Sequence, residues 1–235
     1  MKTLLKNSKQ YIVLNPFLTT LFLLFSYDFG LILFRIFYSD GYDFRFLVWN
    51  LFLAFLPFVF MQVAVSILAK KRLNVLAWIM FGVSLLFLPN SPYIITDLFH
   101  LKYWKHSAPL WFDTLLIFSY ALTGVILFYA TLLLMERFLN HYLPSKMVQL
   151  SLLMVIFLNA FGIYLGRYMR FNSWDIIASP MGLAQEILER FMNPYAHPRT
   201  WGLTLGYGLL FLVGFYCIKL FQQSIQKSYQ LQKTA

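Results

Sequence analysis

Long uncharged apolar runs recur along nearly the whole chain, and they constrain the fold more than any other feature. Crossing about 30 Å of hydrocarbon takes roughly 20 residues of α-helix. Runs of that order lie near residues 12–37, 46–68, 110–135, 147–169 and 201–220, with a shorter sixth near 73–90. The chain is 60% hydrophobic and only 12% charged, against about 25% charged in an ordinary soluble domain. No single core in a chain of 235 residues could hide that much apolar surface, so lipid has to be the solvent. The expected architecture is all-α: one polytopic integral membrane domain over residues 1–235 with six spans, in a cell membrane.

The net charge of +10 does not point to nucleic acid. The Lys and Arg residues are scattered between apolar runs and form no basic stripe. Cationic residues beside span ends are retained on the cytoplasmic side, and Lys2, Lys6, Lys9 and the tight Lys70-Lys71-Arg72 connection carry that signal here. Both termini are therefore expected to be cytoplasmic. The early lysines followed by an apolar run superficially resemble a secretion signal, but the bulky Ser26-Tyr27-Asp28-Phe29 stretch predicts an uncleaved first helix. Cys217 stands alone in an apolar run, which excludes a disulfide framework or cysteine metal cluster within one chain.

The third span calls for a break. As one helix, residues 73–101 would measure roughly 43 Å, too long for hydrocarbon unless strongly tilted. Pro89 disfavours helix at Leu88, and Ser91-Pro92 reads as an N-cap followed by proline at the first helical position. The expectation is a span ending near Asn90 and a short helix from Pro92 to about Leu101. Between spans five and six, residues 181–192 put Leu183, Ile187, Leu188 and Phe191 on one face, as an interfacial helix does. Ser179-Pro180 starts it and Asn193-Pro194 ends it.

Two segments carry polar residues that a bilayer anchor does not need. In FLPNSPYIITDLFHL, residues 87–101, helical spacing brings Thr96, Asp97 and His100 close to one face. A carboxylate beside an imidazole can orient it for acid-base work or share a cation with it. Asn90, Ser91 and Tyr93 lie at the start of the short helix, where backbone N–H groups favour an anion. In GIYLGRYMRFNSWDII, residues 162–177, Arg167 and Arg170 are three apart, and Asn172, Ser173, Trp174 and Asp175 follow. Guanidinium groups hold phosphate in a forked geometry. The plainer alternatives are a water-facing pair at Asp97 and His100, and snorkelling anchors at the arginines.

These two motifs, preceded by WNLFLAFLPF at residues 49–58, resemble the bacterial multi-pass membrane family known as domain of unknown function 1361. The resemblance covers roughly residues 47–180. It implies an integral membrane protein and supplies no reaction, substrate or cofactor.

Lesser features complete the reading. Asp28 and Arg35, two helical turns apart, are expected to pair on the first span, and Asp113 is a candidate partner for an outer arginine. Asn50, Gln62 and Asn159 are expected to form interhelical hydrogen bonds, and Gly162 with Gly166 to permit close packing. No H-E-x-x-H, G-x-S-x-G or P-loop is present, and no matching pair of broken helices marks an inverted-repeat transporter. The favoured function is an outer-face polar pocket for an anionic lipid or lipid-linked phosphate, with Asp97 and His100 catalytic and the other named residues binding. A small transporter and a non-catalytic scaffold are the competing classes. The sequence does not decide whether the protein is an enzyme, nor does it give its metal, cofactor or oligomeric state.

Overall fold

The structure, a computed structural model, describes residues 16–39, 43–69, 74–103 and 108–234. The lysines at 2, 6 and 9, the 70–72 connection, Leu73, Trp104 and Lys105 lie outside the described residues, as does the expected start of the first span at 12–15.

All regular structure among the described residues is helical. In chain order the elements are α1 (Pro16–Ser39), α2 (Phe46–Ala69), α3 (Asn74–Phe87), α4 (Asn90–Tyr93), a 3₁₀ segment (Ile94–Tyr103), α5 (Leu110–Leu139), α6 (Ser145–Tyr168), α7 (Asp175–Ala178), α8 (Pro180–Met192), a 3₁₀ turn (Pro194–Ala196) and α9 (Pro198–Thr234). Among the described residues, six helical stretches are long and apolar enough to cross a bilayer: Pro16–Ser39, Phe46–Leu68, Val75–Lys102, Leu110–Leu139, Ser145–Tyr168 and Pro198–Gln230. The fold class is therefore the all-α polytopic bundle the sequence predicts. The last span is longer than expected at its C-terminal end, because nothing in the Gln- and Lys-containing tail breaks a helix. At 37 residues, α9 measures roughly 55 Å at 1.5 Å per residue.

By internal packing the chain forms two compact units, Met1–Phe55 with Asn90–Leu127 and Leu56–Pro89 with Phe128–Ala235. The first holds α1, the start of α2, α4, the 3₁₀ segment and the start of α5. The second holds the rest.

The third span is broken, and the break falls slightly earlier than the sequence suggests. α3 ends at Phe87, Leu88 and Pro89 form a turn, and helix restarts at Asn90. Pro89 has no N–H to donate and its ring crowds the preceding turn, so the α ladder stops before it. Ser91 does not cap the new helix as expected. Its hydroxyl donates instead to the Ala54 carbonyl at 2.7 Å, close to Pro57 inside α2, where the proline weakens the helix's own bonding. After one α turn the chain tightens into ten residues of 3₁₀ helix, although such runs rarely exceed three or four residues. That departure from the expected α-helix changes which side chains align.

In the second unit, α6 meets the break through Gly162. A Cβ there would lie 2.6 Å from Pro89 Cγ, well inside van der Waals contact, so the small residue is needed for close approach. Gly162→Ala should cost about 1–3 kcal/mol, the usual penalty for overpacking. Unfolding of the purified protein in mixed micelles checks this; stability equal to or above the parent would show that the proline ring moves aside freely.

The α8 helix is the expected interfacial element: it follows Ser179, stops before Asn193, and leaves Met181, Leu188, Phe191 and Met192 exposed. Seated at a membrane interface, such a face is covered by lipid.

Candidate functional site

The first unit gathers its polar groups at the end where α1 finishes, α2 begins, the 3₁₀ segment runs and α5 starts. Arg35, in the last turns of α1, is fully buried and donates from Nε to Asp113 Oδ1 at 2.6 Å and from Nη2 to Oδ2 at 3.3 Å. This is the forked geometry in which a guanidinium holds a carboxylate best. Asp113 is thus the arginine partner the sequence reading allowed for, while the expected Asp28–Arg35 pair does not form. Asp28 Oδ2 instead lies within hydrogen-bond distance of the Thr123 hydroxyl oxygen, at 2.7 Å. Two turns along one helix separate the side chains by about 10 Å of rise, so partners on α5 are closer than the helix's own.

The Arg35 guanidinium also lies over the Phe44 ring, 5.6 Å from its centroid. Phe44 has a φ of 68°, a left-handed conformation that a bulky residue adopts only when its surroundings demand it. From Phe44 the aromatic contacts lead to Phe46, at 6.1 Å between centroids, and from Phe46 to His100 at 4.7 Å.

Asp97 and His100 form the centre of the site. On a 3₁₀ helix residues three apart are eclipsed, which sets the imidazole directly over the carboxylate's turn. His100 Nδ1 lies 3.1 Å from the Asp97 carbonyl and 3.7 Å from Asp97 Oδ1. Asp97 is buried, 1% exposed, whereas the His100 side chain is 39% exposed. From the first turn of α2, Asn50 Nδ2 donates to Asp97 Oδ2 at 2.8 Å. A tautomer with its hydrogen on Nδ1 satisfies the Asp97 carbonyl. The same 3₁₀ geometry turns Thr96 away from His100, contrary to the shared face expected of an α-helix. The Thr96 hydroxyl donates to the Tyr93 carbonyl at 2.7 Å. Asn90 and Tyr93 are half-buried in the same segment and Ser91 is fully buried.

The remaining predicted residues belong to the second unit. Arg167 and Arg170 do not share a helical face, because α6 ends at Tyr168. The amides of Met169 and Phe171 both bond the Leu165 carbonyl, and Arg170 takes a left-handed φ of 59° where a glycine is more usual. Arg167 is half-buried and Arg170 exposed. Asp175 accepts the Asn172 amide at 2.6 Å, and Ser173 Oγ donates to the Leu86 carbonyl at 3.3 Å. Three of these polar residues therefore shape the turn before α7, beside an exposed Trp174.

The sequence reading missed Arg190. It is buried in the second unit, donates to the Tyr164 hydroxyl at 3.3 Å, pairs with Glu186 and lies over the Tyr164 ring. Burial opposes its charge, but the bonds to Tyr164 and Glu186 more than offset that and its pKa stays above the ordinary value. The Glu186/Arg190 spacing on α8 was the available signal. Of the three neutral polar residues expected to bond between helices, Asn50 does so and Asn159 does not. The Asn159 amide is buried with neither Oδ1 nor Nδ2 partnered, and Gln62 lines a cleft with Phe58, Val63 and Ser66. No group of three His, Cys, Asp or Glu side chains able to hold a metal occurs among the described residues.

A family model described as Protein of unknown function (DUF1361) matches residues 49–214. Searches of curated proteins and of solved structures found no match.

Proposed function

We propose that in this chain, which belongs to the DUF1361 family, the first unit binds the phosphate of an anionic lipid or lipid-linked molecule and exchanges a proton with it through His100. The observation carrying this reading is the half-exposed imidazole whose Nδ1 meets the Asp97 carbonyl on a rare 3₁₀ turn, 3.7 Å from a buried carboxylate that Asn50 bonds. A buried carboxylate beside an oriented imidazole is an arrangement suited to general acid-base work. The exposed Lys102 follows His100 by two residues and the exposed Arg45 precedes Phe46, whose ring meets His100; both supply positive charge at the depth where headgroup phosphates lie.

In this reading Asp97 and His100 are the catalytic pair, and Arg35 with Asp113 is a positioning pair that fixes the end of α1 through Phe44. Asn90, Ser91, Tyr93 and Thr96 shape the segment that presents His100. Arg167 and Arg170 are proposed as headgroup contacts of the second unit in their own right, with Asn172, Ser173, Trp174 and Asp175 forming the turn that carries them. The lysines of the N-terminal segment favour an arrangement with both termini inside, and in that arrangement the His100 end lies on the outer face of a cell membrane.

Native mass spectrometry of the full chain, titrated with phosphatidic acid and in parallel with phosphatidylcholine, tests the binding step. Phosphatidic acid should bind more tightly, and His100→Gln should weaken it about tenfold, the value of one charge-assisted hydrogen bond. Equal binding of the two lipids, or an unaffected His100→Gln variant, would overturn the reading.

A further inference from the structure

Asp28 sits midway along α1, within a candidate membrane span, and is 0% exposed. No Lys, Arg or His among the described residues pairs with it, since Arg35, the cation on its own helix, is committed to Asp113. Its Oδ2 lies 2.7 Å from Thr123 Oγ1, and its Oδ1 is buried with no hydrogen-bond partner. An isolated carboxylate in such a place would cost many kcal/mol, so a positive charge has to reside on it.

The hydroxyl geometry suits a proton. Thr123 Oγ1 lies near two oxygens, Asp28 Oδ2 and the Ser119 carbonyl at 3.1 Å. Its single hydrogen can serve one of them. If that hydrogen goes to the Ser119 carbonyl, as threonines in helices commonly arrange, the hydrogen between Asp28 and Thr123 must come from Asp28 itself. A hard metal cation takes about six oxygen ligands; here the oxygens are those of Asp28, Thr123 and the nearby Ser119 hydroxyl, which is itself bonded to the Leu116 carbonyl. We propose that Asp28 is an intramembrane proton-binding site, with Thr123 as the hydroxyl that receives its hydrogen bond.

The only other titratable group facing Asp28 among the described residues is Tyr120, buried on α5 and close enough to sense its charge. α2, which packs on α1 through Phe25 and Phe55, contributes none. Tyr120 also lines a largely apolar cleft of about 360 Å³ with Phe25, Ser26, Phe29 and Leu51.

Infrared spectroscopy of the full chain in phosphatidylcholine nanodiscs, with ¹³C-carboxyl-labelled aspartate, tests this. At neutral pH the unsubstituted protein should show the carbonyl band of a protonated aspartic acid. Asp28→Asn should abolish that band while keeping the fold, since the amide matches the neutral acid in shape. Thr123→Val should retain the band and move it to higher frequency, which assigns it to Asp28 even if Asp28→Asn does not fold. Absence of the band, a band indifferent to Thr123→Val, or a sodium-dependent thermal stabilisation that Asp28→Asn removes would each overturn the proposal, the last in favour of a sodium site.

Discussion

Asp113→Ala is expected to destabilise the protein by about 3–5 kcal/mol, the cost of leaving one member of a buried ion pair without its partner. Arg35 is 1% exposed and Asp113 0%, so neither charge can turn to water once the other is gone. The arginine would also lose the forked hydrogen bonds that hold it between Asp113 and the Phe44 ring. Arg35→Met combined with Asp113→Leu should recover most of that loss, because an apolar pair of similar size removes both desolvation costs. Denaturant unfolding in mixed micelles, run as a double-mutant cycle, measures the coupling directly. Additive single-site losses would mean that the pair is not a stabilising unit. If the pair also positions Phe44 and Phe46, the double variant should be stable yet bind phosphatidic acid less well than the parent.

The second large effect is expected at Gly124. A Cβ on this residue of α5 would fall on the Ser91 carbonyl oxygen, far inside contact distance, and 3.3 Å from Ile94 Cδ1. A backbone oxygen cannot rotate away as a side chain can. Gly124→Ala should therefore displace α4 and the start of the 3₁₀ segment, costing at least the 1–3 kcal/mol typical of overpacking. Because Ser91 and Asp97 lie in the same continuous segment, the displacement should also loosen the Asn50–Asp97 bond. Lost stability and weakened phosphatidic acid binding should accompany one another. A variant with parental stability would contradict the close seating of the break on α5. Gly162→Ala, which meets only ring atoms of Pro89, should be milder.

The span pattern was legible because it depends on length and hydrophobicity alone, and those are local properties of the sequence. The break at Pro89 was legible for the same reason, since proline acts on its immediate neighbours. The form of the segment after the break was not. Nothing in IITDLFHLKY distinguishes a 3₁₀ helix from an α-helix, and the choice is settled by tertiary contacts such as Asn50 with Asp97 and Gly124 against Ser91. That choice decides that His100 aligns with Asp97 and not with Thr96. Similarly, Arg167 and Arg170 read as one face only if α6 continues past Tyr168, and it does not. Partner choice was the other illegible quantity. Asp28 and Arg35 share one face of α1, but they lie two turns apart and the closer long-range contacts to Thr123 and Asp113 win. Asn159 shows the converse, since a polar residue at span depth implied a bond that the packing does not supply.

The central claim is that His100, oriented by Asp97, meets a phosphate at the membrane surface. The most direct test is the imidazole ¹⁵N spectrum of the full chain in phosphatidylcholine nanodiscs, with the His100 signals assigned by their loss in His100→Gln. Adding phosphatidic acid should shift the His100 Nε2 resonance, and Asp97→Asn should diminish the shift while leaving the other histidines unchanged. An Nε2 resonance that does not move with phosphatidic acid, or moves equally with added phosphatidylcholine, would contradict the account.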